Sequence, residues 1–192
     1  MIAKPAPTTL PIHPLLKERW SGRAYDGSRS LSPEDLAVLA EATRWTPSCM
    51  NLQPWRFIPA IRGETPIWDQ VLEALAPSNQ VWAKEAPLLV TVAADTLFAD
   101  GKPNRWARYD TGAAAMALAL QATNLGLMAH QMGGIVADQL KTVLDLPESF
   151  EVMTVIAVGY QLSREQVPES LKERELGERT RLPLEQTWLS RS

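Results

Sequence analysis

The apolar positions of this 192-residue chain fall into runs of two kinds. Trp55–Ala60, Leu88–Ala94 and Val152–Tyr160 are compact, and the last is rich in β-branched residues. Their length and composition predict strands, with Leu88–Ala94 buried on both faces. Elsewhere the apolar residues recur with helical spacing. Leu36, Leu39, Ala40 and Thr43 share one face, and Ser32-Pro33-Glu34-Asp35 supplies a helix start with an N-cap serine and a proline in the first turn. Trp68, Val71, Leu72 and Leu75 repeat the pattern, as does Ala137–Leu144, which ends before Pro147. Arg105–Leu125 predicts one long helix, closed by Gly126. His13–Arg19 fits a short helix. Residues 1–12, broken by Pro5, Pro7 and Pro11, predict an irregular arm. From Gln161 onward the chain turns polar and charged. We therefore expect a main domain over 13–166 and a C-terminal extension over 167–192.

The pattern has no internal repeat, no regular strand–helix alternation and no G-x-G-x-x-G after a strand, which argues against a dinucleotide-binding fold. About four strands and several helices predict an α+β sandwich, a central sheet flanked by helices. The longest apolar run, Gly112–Ala129, is mostly Ala, Leu and Met and contains Gln121, Thr123 and Asn124. Alanine drives membrane insertion weakly and the polar groups oppose it, so a buried central helix is expected rather than a membrane span. Such a helix belongs in a core or an oligomer interface, and its sequence leaves both open.

Net charge is −3, from 19 basic and 22 acidic residues, which argues against a nucleic-acid binder. A single cysteine, Cys49, excludes an internal disulfide, and two histidines argue against a histidine metal site. The N-terminus lacks the basic-then-apolar order of a secretion signal, so a cytoplasmic setting is expected.

The chemistry concentrates in Pro47-Ser48-Cys49-Met50-Asn51-Leu52-Gln53-Pro54-Trp55. Two prolines stiffen the segment, Ser48, Asn51 and Gln53 offer hydrogen bonds, and Trp55 adds a flat apolar surface. Such a loop suits a planar, hydrogen-bonding ligand; it equally suits a capped turn between a helix and a strand. No histidine or basic pair in the sequence marks Cys49 as a nucleophile.

Three further motifs accompany the loop: Arg19-Trp20-Ser21-Gly22-Arg23, Met132-Gly133-Gly134-Ile135 and Arg179-Thr180-Arg181-Leu182-Pro183. In this order and spacing, from about Pro14 to Pro183, the chain resembles the FMN-dependent nitroreductase family. The resemblance implies an intertwined homodimer with FMN at the subunit interface. It assigns Arg19, Ser21, Arg179 and Arg181 to the phosphate, since guanidinium forks bind oxyanions, with Trp20 between the first two. Without it, Arg179 and Arg181 read as part of a solvated, charged tail. Arg23 falls where the family places a positive charge near flavin N1 and O2. Asn79 stands where the family often turns an amide to the pyrimidine edge; a helix N-cap is its other reading. Pro47, Ser48, Cys49 and Asn51 would pack on the ring from the partner subunit. Met132, Gly133 and Gly134 would bring backbone close to the ring, or form a simple turn after a short strand. Trp82, Trp106, Tyr109 and Met132 are candidates for shaping the substrate pocket. The chain departs from the family at Cys49, usually serine, at Gly133, often acidic, and at Trp82, often basic.

The resemblance implies an NAD(P)H oxidoreductase: NADH or NADPH gives a hydride to flavin N5 and leaves, and a nitroaromatic or quinone then enters. The cofactor performs this chemistry, so no side-chain catalyst is assigned. A non-catalytic FMN carrier or dimeric scaffold, and a different flavin redox reaction, remain as alternatives.

Overall fold

The computed structural model describes residues 2–189. The predicted helix starts and strand runs account for most of its elements. α1 (Pro14–Glu18) precedes α2 (Pro33–Arg44), which opens on a capping box between Ser32 and Asp35. The strand β1 (Trp55–Ile61) leads to two short helices, α3 (Trp68–Glu73) and α4 (Pro77–Ala83). Then come β2 (Leu88–Asp95), the long α5 (Ala107–Asn124), β3 (Met128–Met132), α6 (Ala137–Val143) and β4 (Phe150–Gly159). α7 (Glu169–Leu176) and α8 (Leu184–Thr187) follow in the C-terminal segment.

The strands form one antiparallel sheet in the order β1-β2-β4-β3. Side chains alternate across it, as strand geometry requires. Leu88, Val90 and Val92 of β2 and Ile156 and Val158 of β4 face α2 and α5, where Leu39, Ala115, Leu118 and Ala122 complete a core. Leu89, Val155 and Ala157 face the other way, against Trp68, Val71, Trp82 and Leu140 of α3, α4 and α6. Helices therefore cover both faces, and the near-continuous apolar runs of β2 and β4 follow from burial on two sides.

α5 ends as expected. Gly126 takes φ +71° and donates to Thr123 O at 3.0 Å, while Leu127 N donates to Ala122 O at 2.8 Å, a Schellman closure. Only one face of α5 enters the core. Ala114, Ala115, Leu118 and Ala122 are buried, whereas Tyr109, Gly112 and Ala113 are exposed.

Several elements differ from the sequence expectation, among them β3 and α8, which the apolar pattern does not mark. Leu75 lies outside α3 and bridges to Ile135. α4 covers Ser78–Trp82, where no helix is expected from the apolar pattern; its N-cap is Ala76, without a side-chain cap, and Pro77 alone marks its start. α7 lies in what reads as a solvated tail. A third apolar cluster explains it: Ile2, Ala24 and Val167 are buried there, with Trp20, Leu171 and Leu176 packed against them. This cluster joins the N-terminal arm to the C-terminal segment. No helix among the described residues is long and apolar enough to cross a membrane.

Candidate functional site

α1 and the C-terminal segment bring the sequence-distant arginines together. Arg19 caps the C-terminal end of α1, and Arg179 reaches back to donate from Nη1 to Lys4 O at 2.8 Å and to Lys17 O at 2.9 Å. Arg19, Arg179 and Arg181 line one cleft of about 740 Å³, whose other wall is apolar and includes Leu16 and Met116. Arg19 Nη1 donates to Ser21 Oγ at 3.3 Å. Burial, and then the positive fields of Arg179 and Arg181, hold the Arg19 guanidinium below its ordinary affinity for a proton. Burial and the field of Arg181 do the same to Arg179. Among the described residues no ion pair engages any of the three. The cleft is a concentration of positive charge without an internal counter-ion.

A second group forms around the next residues of the same segment. Gly22 sits against Met128 and Glu175, and a Cβ there would lie 3.0 Å from Glu175 Oε2 and overlap Met128 Sδ. Glu175 is fully buried and accepts Arg23 N at 2.6 Å. Burial raises its carboxyl pKa, against the lowering effect of the backbone N–H groups of Arg23 and Ala24. The Arg23 guanidinium stands 6.0 Å from the Trp82 ring centroid. Trp82 packs on His130 at 4.7 Å, and His130 Nδ1 lies 2.9 Å from Gly22 O. A carbonyl only accepts, so Nδ1 carries the proton. Burial lowers the His130 pKa to about 4, with only the Gly22 carbonyl opposing it. Asn79, on the same helix as Trp82, donates from Nδ2 to Gly134 O at 3.3 Å. It lies inside α4 and is not its N-cap. A Cβ on Gly134 would come within 3.0 Å of both Asn79 Nδ2 and Ala76 Cβ, whereas Gly133 has open space around it. Met132 is 2% exposed and packs in the core, as does Trp82, so neither presents a broad surface to a ligand. Gly133 and Gly134 follow β3 directly, and Ile135 N donates to Gly133 O at 3.1 Å.

The third group is the loop that follows α2. Ser48 Oγ accepts Gln53 N at 3.0 Å, and Gln53 Nε2 donates to Asn51 Oδ1 at 3.1 Å. Met50, Asn51 and Gln53 take φ of +53°, +55° and +50°. Left-handed backbone at three non-glycine residues in four is costly, and such strain clusters at functional sites. Cys49 N donates to Asp110 Oδ2 at 3.0 Å, which ties the loop to α5. Around it Trp45, Met50 and Tyr109 are each at least 74% exposed, an apolar patch beside a strained loop.

A family model described as the Nitroreductase family matches residues 16–160. The chain belongs to the nitroreductase family. A crystal structure of an oxidoreductase containing FMN is similar to it at 38% identity, covering 94% of this chain and 91% of that one, with a TM-score of 0.86. A nitroreductase family protein from Clostridium difficile 630 is similar at 27% identity over 92% of this chain and 96% of that one, with a TM-score of 0.70. The major NAD(P)H-flavin oxidoreductase of Aliivibrio fischeri is 50% identical over 50 residues, which are 26% of this chain and 23% of that protein. The nitroreductase fold thus accounts for the antiparallel sheet with helices on both faces.

Asp110 and Glu175 are the polar residues at these groups that sequence reasoning did not single out. Glu175 lies in a run that looks like an ordinary charged face, and Asp110 lies in the first turn of α5, where an acidic residue is ordinary. Only its burial distinguishes each.

Proposed function

We propose that the chain is an FMN-dependent NAD(P)H oxidoreductase that works as a homodimer on small organic acceptors such as nitroaromatics or quinones. The observation that carries this reading is the convergence of Arg19, Arg179 and Arg181 on one cleft without a carboxylate. Guanidinium groups that repel one another need a multiply charged anion, and a phosphate monoester supplies one. The cleft's apolar wall excludes a purely inorganic design and suits a phosphate carried by an organic body. Similarity to an FMN-containing oxidoreductase and to an NAD(P)H-flavin oxidoreductase supports the same cofactor and donor.

The residues fit FMN in a defined way. Arg19, Ser21, Arg179 and Arg181 would hold the phosphate, with Trp20 between the first two. Arg23 would stand at the pyrimidine side, where a fixed positive charge favours the reduced, anionic ring. Asn79 keeps one amide proton and its oxygen beyond the bond to Gly134 O, enough to read a pyrimidine edge. Gly134 leaves no room for a side chain, and Gly133 leaves the backbone open. Pro47, Ser48, Cys49 and Asn51 would cover the ring from the partner subunit. Met132 would contribute backbone alone. Bound FMN supplies the redox chemistry, exchanging two electrons with the nicotinamide donor and then with the acceptor. The protein positions, tunes and shields it; His130 is neutral, buried and committed to Gly22, so it offers no proton shuttle. A dimer is supported by the exposed face of α5, where Gly112 has open space that its own fold does not require filled.

Purified protein should show a flavin spectrum that bleaches under anaerobic NADH or NADPH. The double substitution Arg179→Ala/Arg181→Ala should lower FMN retention by at least tenfold, the scale of losing charge-assisted bonds of about 1.5–3 kcal/mol each. Full flavin occupancy in that variant would overturn the phosphate assignment. A flavin spectrum indifferent to both nucleotides would favour a carrier.

A further inference from the structure

The loop 47–53 holds an unfavourable backbone shape, and something outside it must maintain that shape. Its bonds to Ser48 and Asn51 are internal, and Arg56, three residues beyond Gln53, donates to Gln53 O from the adjoining strand at 3.2 Å. The tie from a remote element is Asp110, 61 residues from Cys49 in sequence. Asp110 is 4% exposed, in the first turn of α5, yet α5 has no side-chain cap. Its carboxylate is thus turned away from its own helix end and toward the loop. The neighbouring hydroxyls give no help: Thr46, which leads into the loop, and Thr111, which follows Asp110, both bury Oγ1 without a hydrogen-bond partner. A charged acceptor committed to one backbone N–H makes a bond stronger than a neutral one.

We propose that Asp110 is a positioning residue, which holds the 47–53 loop in the geometry that shapes the nicotinamide and acceptor site over the flavin. The proposal rests on the reading that this loop packs against FMN. Asp110 acts through Cys49 N, so it sets the loop's distance and angle to the ring without touching cofactor or substrate. A shift of the loop by about 1 Å is enough to cost a factor of up to roughly 10² in reactions that depend on alignment.

The test uses the holoenzyme and two routes to the same bond. Asp110→Ala removes the acceptor and Asp110→Asn retains one in its amide oxygen. Cys49→Pro removes the donor. Cys49 opens a short 3-10 turn and follows Ser48, whose extended backbone suits a residue before proline, and Cys49→Ala is its reference because it keeps the N–H. FMN per protomer, the visible circular dichroism of the flavin, and KM and kcat for NADH are measured. D110A, and C49P relative to C49A, should retain FMN while KM for NADH rises about tenfold and the flavin dichroism changes. D110N should recover both towards wild type. If D110A does not fold, the C49P and C49A pair decides, since α5 is untouched. Unchanged KM and dichroism in D110A and C49P overturn the positioning role while leaving the flavoenzyme reading intact. A wild-type protein that takes up no FMN overturns the reading beneath it, and the positioning role falls with it.

Discussion

His130 gives the protein a titration that its fold must resist. Its pKa lies near 4 in the folded state and near the ordinary 6.5 in the unfolded chain. Between those values the unfolded chain binds the extra proton, so stability is full above pH 6.5 and is lost as pH falls towards 4. The loss is at most about 3 kcal/mol, at roughly 1.4 kcal/mol per unit. Urea unfolding at pH 7 and pH 5 should show it, and His130→Gln should flatten the slope. Glu175 pulls the other way. Burial raises its folded pKa, so its contribution is complete below the unfolded value of about 4.5 and declines as pH rises through the folded one. Glu175→Gln should therefore steepen the net rise in stability with pH that His130 produces. The paired glycines separate space from chemistry. Gly134→Ala would press on Asn79 and Ala76, and we expect it to cost about 1–3 kcal/mol and weaken FMN binding. Gly133→Ala meets nothing and should fold as wild type, which thermal unfolding of the two variants side by side would check.

α7 shows how an element can be both essential and hard to read. Its sequence, ESLKEREL, carries two leucines and looks like a solvated helix, yet Glu175 is its fully buried residue. The carboxylate anchors the Arg19–Arg23 segment by accepting Arg23 N. Glu175→Ala should destabilise the protein by roughly 1–3 kcal/mol, because it leaves that N–H without its partner; chemical denaturation at pH 7 measures it. Elements whose burial is written in apolar residues were legible: β1, β2 and β4, and α5 with its closing Gly126. β3 is only five residues long and contains His130 and Gln131, so it gives no clear apolar run. α4 starts on Pro77 after an N-cap, Ala76, that offers no side-chain bond, and its Pro-Ser-Asn-Gln opening resembles a turn. The arginines of the cleft are legible through their motif order but not through local pattern, since Arg179 lies in a charged stretch. Asp110 has no local signature either, because the need for it arises in a loop 61 residues earlier.

Across the whole molecule, exposed apolar residues gather on α5 and around the loop before β1. Tyr109, Gly112 and Ala113 of α5 lie exposed, as do Trp45 and Met50. In the proposed homodimer a second copy would cover this side and bring the loop 47–53 to the partner's cleft. Ala113→Glu should therefore yield a monomer by light scattering, with FMN retention reduced in parallel even though both arginines of the C-terminal motif are intact. The clasp between Arg179 and Lys4 carries a different consequence. It joins residues 175 apart in sequence, so the backbone between them traces a nearly closed ring. On a ring, the order in which segments are synthesised is a convention rather than a requirement. A chain cut open at the exposed Gly63 turn, with the segments on either side of the clasp joined by a linker, should reach the same architecture.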